Sequence, residues 1–244
     1  MKMSKRRRWV VRGLVSAVVV GVLGAVGGPY VYTHFINKPK PRLTFASRDA
    51  QEAKAGDTTQ PDSGVGASAD AVDLSGTWAI GEGSEVGYRV KESINGQATE
   101  GVGRSSTIDG SVAVASGKLV SAEFSVDITS LKSDSGRRDA QFTGRIMNAE
   151  AFPVASFTTT STPEFALPAD GSTTTVSVQG VLALHGVEQN VTVQVTMRRK
   201  ADTVQLEGSI PVTFADYEID NPSIGPIKTG DTGLVEFLLT MRKQ

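Results

Sequence analysis

The 22 residues VSVQGVLALHGVEQNVTVQVTM, Val176 to Met197, read as two strands folded back on each other. Val176, Val178, Gly180, Leu182 and Leu184 hold alternate positions, and so do Val191, Val193, Val195 and Met197. A period of two places one set of side chains on a sheltered face and leaves Ser177, Gln179, Thr192, Gln194 and Thr196 on a wet one. His185-Gly186 between the two runs is a tight-turn signal. A paired hairpin of this length, sheltered on one face only, points to an antiparallel β domain.

The same pattern spreads outward. Val120, Ala122, Phe124, Val126 and Ile128 alternate with polar residues, as do Val235, Phe237, Leu239 and Met241, while Asn95-Gly96, Asp109-Gly110 and Asp170-Gly171 mark further turns. Strands are expected near 77–93, 98–108, 110–115, 118–129, 154–163, 173–184, 188–200, 203–214 and 233–242. Eight or nine long strands with short turns suit an antiparallel up-and-down, lipocalin-like barrel, with a sandwich as the alternative. One stretch breaks the period. In SGRRDAQFTGRIMNAEAFPVASF, Ser135 to Phe157, Phe142 and Ile146 stand four apart, which is helical spacing. Ser135 is a candidate N-cap, Asp139 suits the helix N-terminus, and Pro153 should end the helix at about Phe152. The expectation is one short helix at the mouth of an apolar cavity.

The near-zero net charge hides an asymmetry. Residues 1–36 carry Lys2, Lys5, Arg6, Arg7, Arg8 and Arg12 and no acid, a net +6, and the remainder is net −7. An acidic domain of this kind is a poor partner for nucleic acid. The chain has no cysteine, which excludes disulfides, thiolate metal sites and a cysteine nucleophile. Residues 1–12 read as a basic cytoplasmic segment. Residues 13–36 contain no charged side chain and, as a helix, would be about 36 Å long, enough to cross a bilayer core of about 30 Å. The charge bias makes this a single-pass anchor with a cytoplasmic N-terminus and an extracytoplasmic C-terminal domain in the cell envelope. A cleaved signal peptide, with small residues at Ala25-Val26-Gly27, is the competing reading. Residues 37–71, poor in large apolar side chains, read as a flexible linker ahead of a folded domain at 72–244.

Several phrases together resemble the YceI-like, lipocalin-like family of polyisoprenoid-binding proteins. They are Trp78 with the strand through Val90, Arg138-Asp139, RIMNAEAFPVASFTTT (Arg145 to Thr160), VQGVLALHGVEQNVTVQV (Val178 to Val195) and FADYEID (Phe214 to Asp220). Gln141 and Phe142 stand where the family usually has histidine and leucine. The resemblance implies a barrel around a long apolar pore that holds an isoprenoid or isoprenoid-quinone-type amphiphile, with the helix near one end and no cofactor. Known members are secreted or periplasmic.

Trp78, Tyr88, Phe124, Phe142, Ile146, Phe152, Phe157 and Tyr217 are the candidate pore lining, with ordinary packed core as the alternative. Arg137 and Arg138 are candidates for holding a pyrophosphate or a polar quinone head, since guanidinium forks suit phosphate oxygens; local ion pairing of the helix is the other use for them. His185, alone in the domain, reads better as a turn residue than as a base, and no second histidine stands at metal-ligand spacing. No nucleophile elbow or glycine-rich phosphate loop is present; Gly101-Val102-Gly103 lacks the third glycine and the helix. The reading is therefore a lipid-binding protein that is not an enzyme. Its alternatives are a structural barrel module without ligand and an envelope-lipid hydrolase.

Overall fold

The computed structural model describes residues 39–55, 74–166 and 172–244. Ten strands form one antiparallel sheet: β1 (Gly76–Ile80), β2 (Glu85–Ile94), β3 (Gln97–Ser105), β4 (Asp109–Ala115), β5 (Lys118–Asp127), β6 (Val154–Thr159), β7 (Thr173–Leu184), β8 (Val187–Lys200), β9 (Thr203–Thr213) and β10 (Ile227–Lys243). β10 pairs with β9 along one edge and with both β1 and β2 along the other, which closes the sheet. β1 and β2 are two lengths of one wall strand, broken at 81–84, where Gly81 N–H and Ser84 Oγ stay bonded to the Thr240 carbonyl. β3 and β4 make up the next wall strand, broken at 106–108. Counted this way the wall is a closed eight-stranded meander, so the barrel holds and the sandwich does not.

The deciding hairpin pairs as its pattern requires, with Val176 opposite Val195 and Val178 opposite Val193. His185 (φ 53°) and Gly186 (φ 79°) form the turn, both in the left-handed region. Phe152 packs so close under Gly186 that a Cβ there would overlap its ring. β10 begins six residues earlier than the alternation suggested. Its polar first turn, Lys228 to Asp231, carries no apolar signal, and the register shifts between Thr229 and Gly233.

Between β5 and β6 the chain leaves the wall. β5 stops at Asp127, a 3₁₀ turn covers 128–130, and Arg104 and Lys132 exchange two backbone hydrogen bonds of 2.9 and 2.8 Å across the free edge of β3. Ser135 then caps a short helix at Gly136–Gln141 through a long contact of 3.5 Å from Arg138 N–H. The helix does not run to Phe152. After Gln141 it widens into a π turn over Phe142–Ile146, with Met147 N–H bonded to the Phe142 carbonyl at 2.8 Å, and Asn148 leaves it at φ 41°.

The expected linker 37–71 is ordered in part. Residues 39–55 lie as a strap on the outside of the barrel and include helix α1 (Phe45–Ala55); helix Gly136–Gln141 is accordingly α2. Leu43 and Phe45 bury themselves on Leu238, and Arg198 stacks over the Phe45 ring at 4.3 Å. Arg198 also forks onto Asp49 with two bonds of 2.7 Å, and Lys200 reaches Glu52 at 2.6 Å. Beneath the start of the strap, Arg89 donates to the Lys40 carbonyl and Arg104 to the Pro41 carbonyl, each at 2.8 Å. The expected anchor at 13–36 and the remainder of the linker lie outside the described residues. No helix among the described residues is long and apolar enough to cross a membrane.

Candidate functional site: an apolar cavity with one ion pair in its wall

The alternation that makes each strand also decides what faces inward. Val176, Val178, Val193, Val195, Met197 and Leu239 all turn onto a common hollow inside the barrel. The cavity has a volume of about 280 Å³. That is near the lower end of the range for small-molecule pockets, about 300–1,000 Å³. Leu74, Trp78 and Phe165 pack together at the end where β1 begins, and the Trp78 indole N–H is satisfied by the Leu74 carbonyl at 2.9 Å. The opposite end carries the Asn95-Gly96 hairpin tip, α2 with its π turn, the 185–186 turn and the 214–226 loop.

Six of the eight residues expected to line a pore do line the cavity: Trp78, Tyr88, Phe124, Phe142, Ile146 and Phe157. Phe152 and Tyr217 do not. Phe152 lies edge-on to the His185 ring at 4.9 Å, outside the wall, because the turn it supports projects beyond the strands. Tyr217 is buried in the core cluster under the 214–217 turn, and its backbone carbonyl accepts from His185 Nδ1 at 3.0 Å. His185 is thus held as a turn residue by its neighbours on both sides.

Tyr88 and Phe142 stack at 4.3 Å between centroids, clamping the π turn over the end of the barrel. Gly103, opposite Tyr88 in the β2–β3 pair, makes room for this: a Cβ there would overlap the phenol ring. Burial pushes the Tyr88 hydroxyl well above the ordinary tyrosine range.

The lining contains one cation and one acid, Arg138 and Glu92, and they form an ion pair at 3.4 Å. Their side chains are 18% and 11% exposed, so the pair is largely withdrawn from water. Arg138 also binds Asp134 through its other terminal nitrogen. Burial raises the Glu92 carboxyl above its ordinary value, against the pull of Arg138. Asp139, adjacent in sequence, serves a different end: it accepts from Ser133 N–H at 2.8 Å and Ser133 Oγ at 2.6 Å, fixing the approach to α2. Arg137 is exposed and is not part of the lining. Arg145 ties the π turn to the 214–226 loop by donating to the Pro222 carbonyl at 2.9 Å. Glu92 shares the inward phase of β2 with Tyr88 and Val90, but the sequence gives no sign of its role, because a charged side chain on a strand reads as facing water. No cluster of three histidine, aspartate or glutamate side chains among the described residues could hold a metal ion.

The model of the YceI-like domain matches residues 78–241 of this sequence, from the first wall strand to the last. The chain belongs to the YceI-like family. Among solved structures, it is similar to a polyisoprenoid-binding domain from Saccharophagus degradans implicated in plant cell wall breakdown. That pair shares 20% identity and a TM-score of 0.56, over 68% of this chain and 98% of that one. It is also similar to BcnA of Burkholderia cenocepacia, at 23% identity and a TM-score of 0.49 over 64% and 95% of the two chains. A YceI protein of Campylobacter jejuni aligns at 10% identity with a TM-score of 0.45, over 58% and 84%. No curated protein matches the chain. At 20% identity the likeness to the Saccharophagus degradans domain speaks to the fold alone, and the YceI-like barrel is the frame on which the cavity and its ion pair sit.

Proposed function

We propose that this YceI-like protein binds an isoprenoid or isoprenoid-quinone-type amphiphile, with the tail in the cavity and the head at the end carrying Glu92 and Arg138. The single observation that carries the reading is the cavity itself: a hollow walled by aliphatic and aromatic side chains, with the Glu92–Arg138 ion pair at one end. The polyisoprenoid-binding description of the Saccharophagus degradans domain supports the same ligand class. Each methylene removed from water is worth about 0.8 kcal/mol. A tail that starts in a bilayer gains almost nothing by this, because both environments are apolar. Retention then depends on the fit of the tail and on contacts with the head.

The role is sequestration or carriage without chemistry of its own, in an extracytoplasmic position set by a membrane anchor at 13–36. The strap gives this anchoring a consequence. Only residues 37 and 38 separate the expected anchor from the docked strap at 39, a reach of about 7 Å. An anchored chain would carry the barrel wall close to the bilayer instead of on a long tether. The hydrolase alternative calls for a pocket that gathers His185 or paired carboxylates; His185 lies outside the lining with Nδ1 on the Tyr217 carbonyl, and Glu92 is the one carboxylate that the described residues place in it.

Native mass spectrometry of the full chain released from detergent tests the reading. The expected spectrum contains an adduct whose extracted mass and fragmentation are those of a prenyl lipid. A chain that stays free of lipid after incubation with prenyl lipids would refute it.

A further inference from the structure

Among the described residues, Arg138 is the only basic side chain in the cavity wall, and its charge is already taken up. One terminal nitrogen faces Glu92 at 3.4 Å and the other binds Asp134, so a single guanidinium serves two carboxylates. The other two arginines of the excursion, Arg137 and Arg145, are not in the lining. Arg137 points to solvent, and Arg145 is committed to Gln141 and the Pro222 carbonyl. The neighbouring 214–226 loop adds Asp216, Glu218 and Asp220 and no basic residue. That loop brings no cation toward an anionic head, and the charge of Arg138 is already shared between two carboxylates.

Glu92 is built into that position. It lies on the inward phase of β2, and Gly101 on β3 leaves the space its carboxylate occupies: a Cβ at Gly101 would sit within 2.9 Å of Glu92 Cδ. A side chain larger than glycine there would push the carboxylate off the wall and away from Arg138.

We infer that Glu92 is a specificity-determining residue: by neutralising Arg138 in advance, it selects uncharged polar heads, a hydroxyl or a carbonyl, over phosphorylated ones. An anionic head would have to displace Glu92 from the guanidinium or settle beside it, and like charges brought together in a site withdrawn from water oppose binding strongly. A carbonyl or hydroxyl oxygen can accept from an unused guanidinium N–H while both carboxylates stay in place, since the group has five donors. Because the tail gains little on leaving a bilayer, this difference at the head decides which lipid is kept. The inference rests on the proposed isoprenoid binding.

The test compares geranylgeraniol with geranylgeranyl monophosphate, two probes with the same tail, binding to the full chain in neutral detergent micelles. The wild-type protein is expected to favour the alcohol by about tenfold or more, and Glu92→Gln should reduce that ratio by about tenfold, chiefly by tighter binding of the phosphate. Asp134→Asn, at a more exposed carboxylate on the same guanidinium, should move the ratio in the same direction by a smaller factor; it also serves where Glu92→Gln does not fold. Glu92→Asp, which keeps the charge, should keep the preference for the alcohol. A wild-type protein that prefers the phosphate, or a ratio unmoved by both neutralising substitutions, overturns the role of Glu92 while leaving isoprenoid binding intact. A wild-type protein that takes neither probe overturns the isoprenoid reading and this inference with it.

Discussion

The two faces of β10 are treated in opposite ways. Val235 and Phe237 turn inward yet remain partly accessible, because they border a hollow. Glu236 and Leu238 turn outward and are only 2% and 1% exposed, because the strap lies over them. The inside of this barrel is apolar and roomy, whereas a patch of its outside is charged and tightly covered. Under the strap, Arg89 reaches Glu236 at 3.0 Å and also binds Glu100, and Arg104 lies 2.9 Å from the other Glu236 oxygen. The last contact is an ion pair without a well-aligned hydrogen bond, since neither atom finds one. The two arginines differ accordingly. Burial depresses both guanidinium groups; the hydrogen bonds that Arg89 donates to Glu236 and Glu100 more than restore it, but Glu236 does not fully restore Arg104. The lesson is that stability and ligand capacity are placed on opposite faces of the same strands.

If that division is right, the largest loss comes from breaking the covered network. Glu236→Ala leaves Arg104 without a carboxylate in a dry site and Arg89 with Glu100 alone, and should cost about 3–5 kcal/mol in denaturant unfolding. The triple change Arg89→Met, Arg104→Met and Glu236→Leu should cost much less than the single one, because it removes the desolvated charges together. A single substitution costing under about 1 kcal/mol would place water under the strap. Next comes the cover itself. Phe45→Ala removes a ring packed on Leu43, Leu238 and Arg198. We expect a loss of about 2–3 kcal/mol, less than the about 3–5 of a full core phenylalanine, because a strap can lift where a core cannot collapse. Hydrogen exchange of residues 39–55 should rise in the variant while that of β7 and β8 is unchanged.

The inner face should respond differently. Val195 faces the cavity and is only partly buried. Val195→Trp would cost about 1–3 kcal/mol in a well-packed core. In a hollow one the ring has somewhere to go, and the expected change is under about 1 kcal/mol, with loss of prenyl-lipid uptake in the same assay as above. A large destabilisation with uptake retained would mean that the hollow lies elsewhere.

The same contrast governs what could be read from the sequence. The wall was legible because its signal is local: alternation on β7 and β8, and the Asn95-Gly96 and His185-Gly186 turns, report on residues two to four apart. The inward phase also delivered six of the lining residues, and Phe152 and Tyr217 failed because they belong to segments between strands, where the phase no longer applies. The strap was not legible. Within 39–55 only Leu43 and Phe45 are large and apolar, and the contacts that dock the rest join Asp49 to Arg198 and Glu52 to Lys200, far apart in the chain. Glu92, Arg104 and Glu236 were hidden for a related reason. A charge on a strand reads as wet, and only the tertiary partner reveals that it is buried.

The smallest effects separate the two surfaces by sign. The Arg198 hydrogen bonds hold the Asp49 carboxyl below its ordinary value, so its contribution to strap docking is fully present above the ordinary carboxylate range and is lost as pH falls through the depressed one. Asp49 is largely exposed, and solvent screening keeps the effect under about 1 kcal/mol. Glu92 runs the other way. Burial raises its pKa, so the folded protein binds that proton more tightly than the unfolded chain, and the contribution of Glu92 to stability falls as pH rises from its ordinary value through the raised one. Hydrogen exchange followed from pH 7 down to about pH 2, through and below the ordinary aspartate range, should therefore show the strap loosening while the Glu92 end of β2 does not. In Asp49→Asn the pH response of the strap should be reduced, and in Glu92→Gln the response of β2 should vanish. If both regions loosened together in acid, the covered outside and the hollow inside would be one cooperative unit, and the division of labour between them would have to be given up.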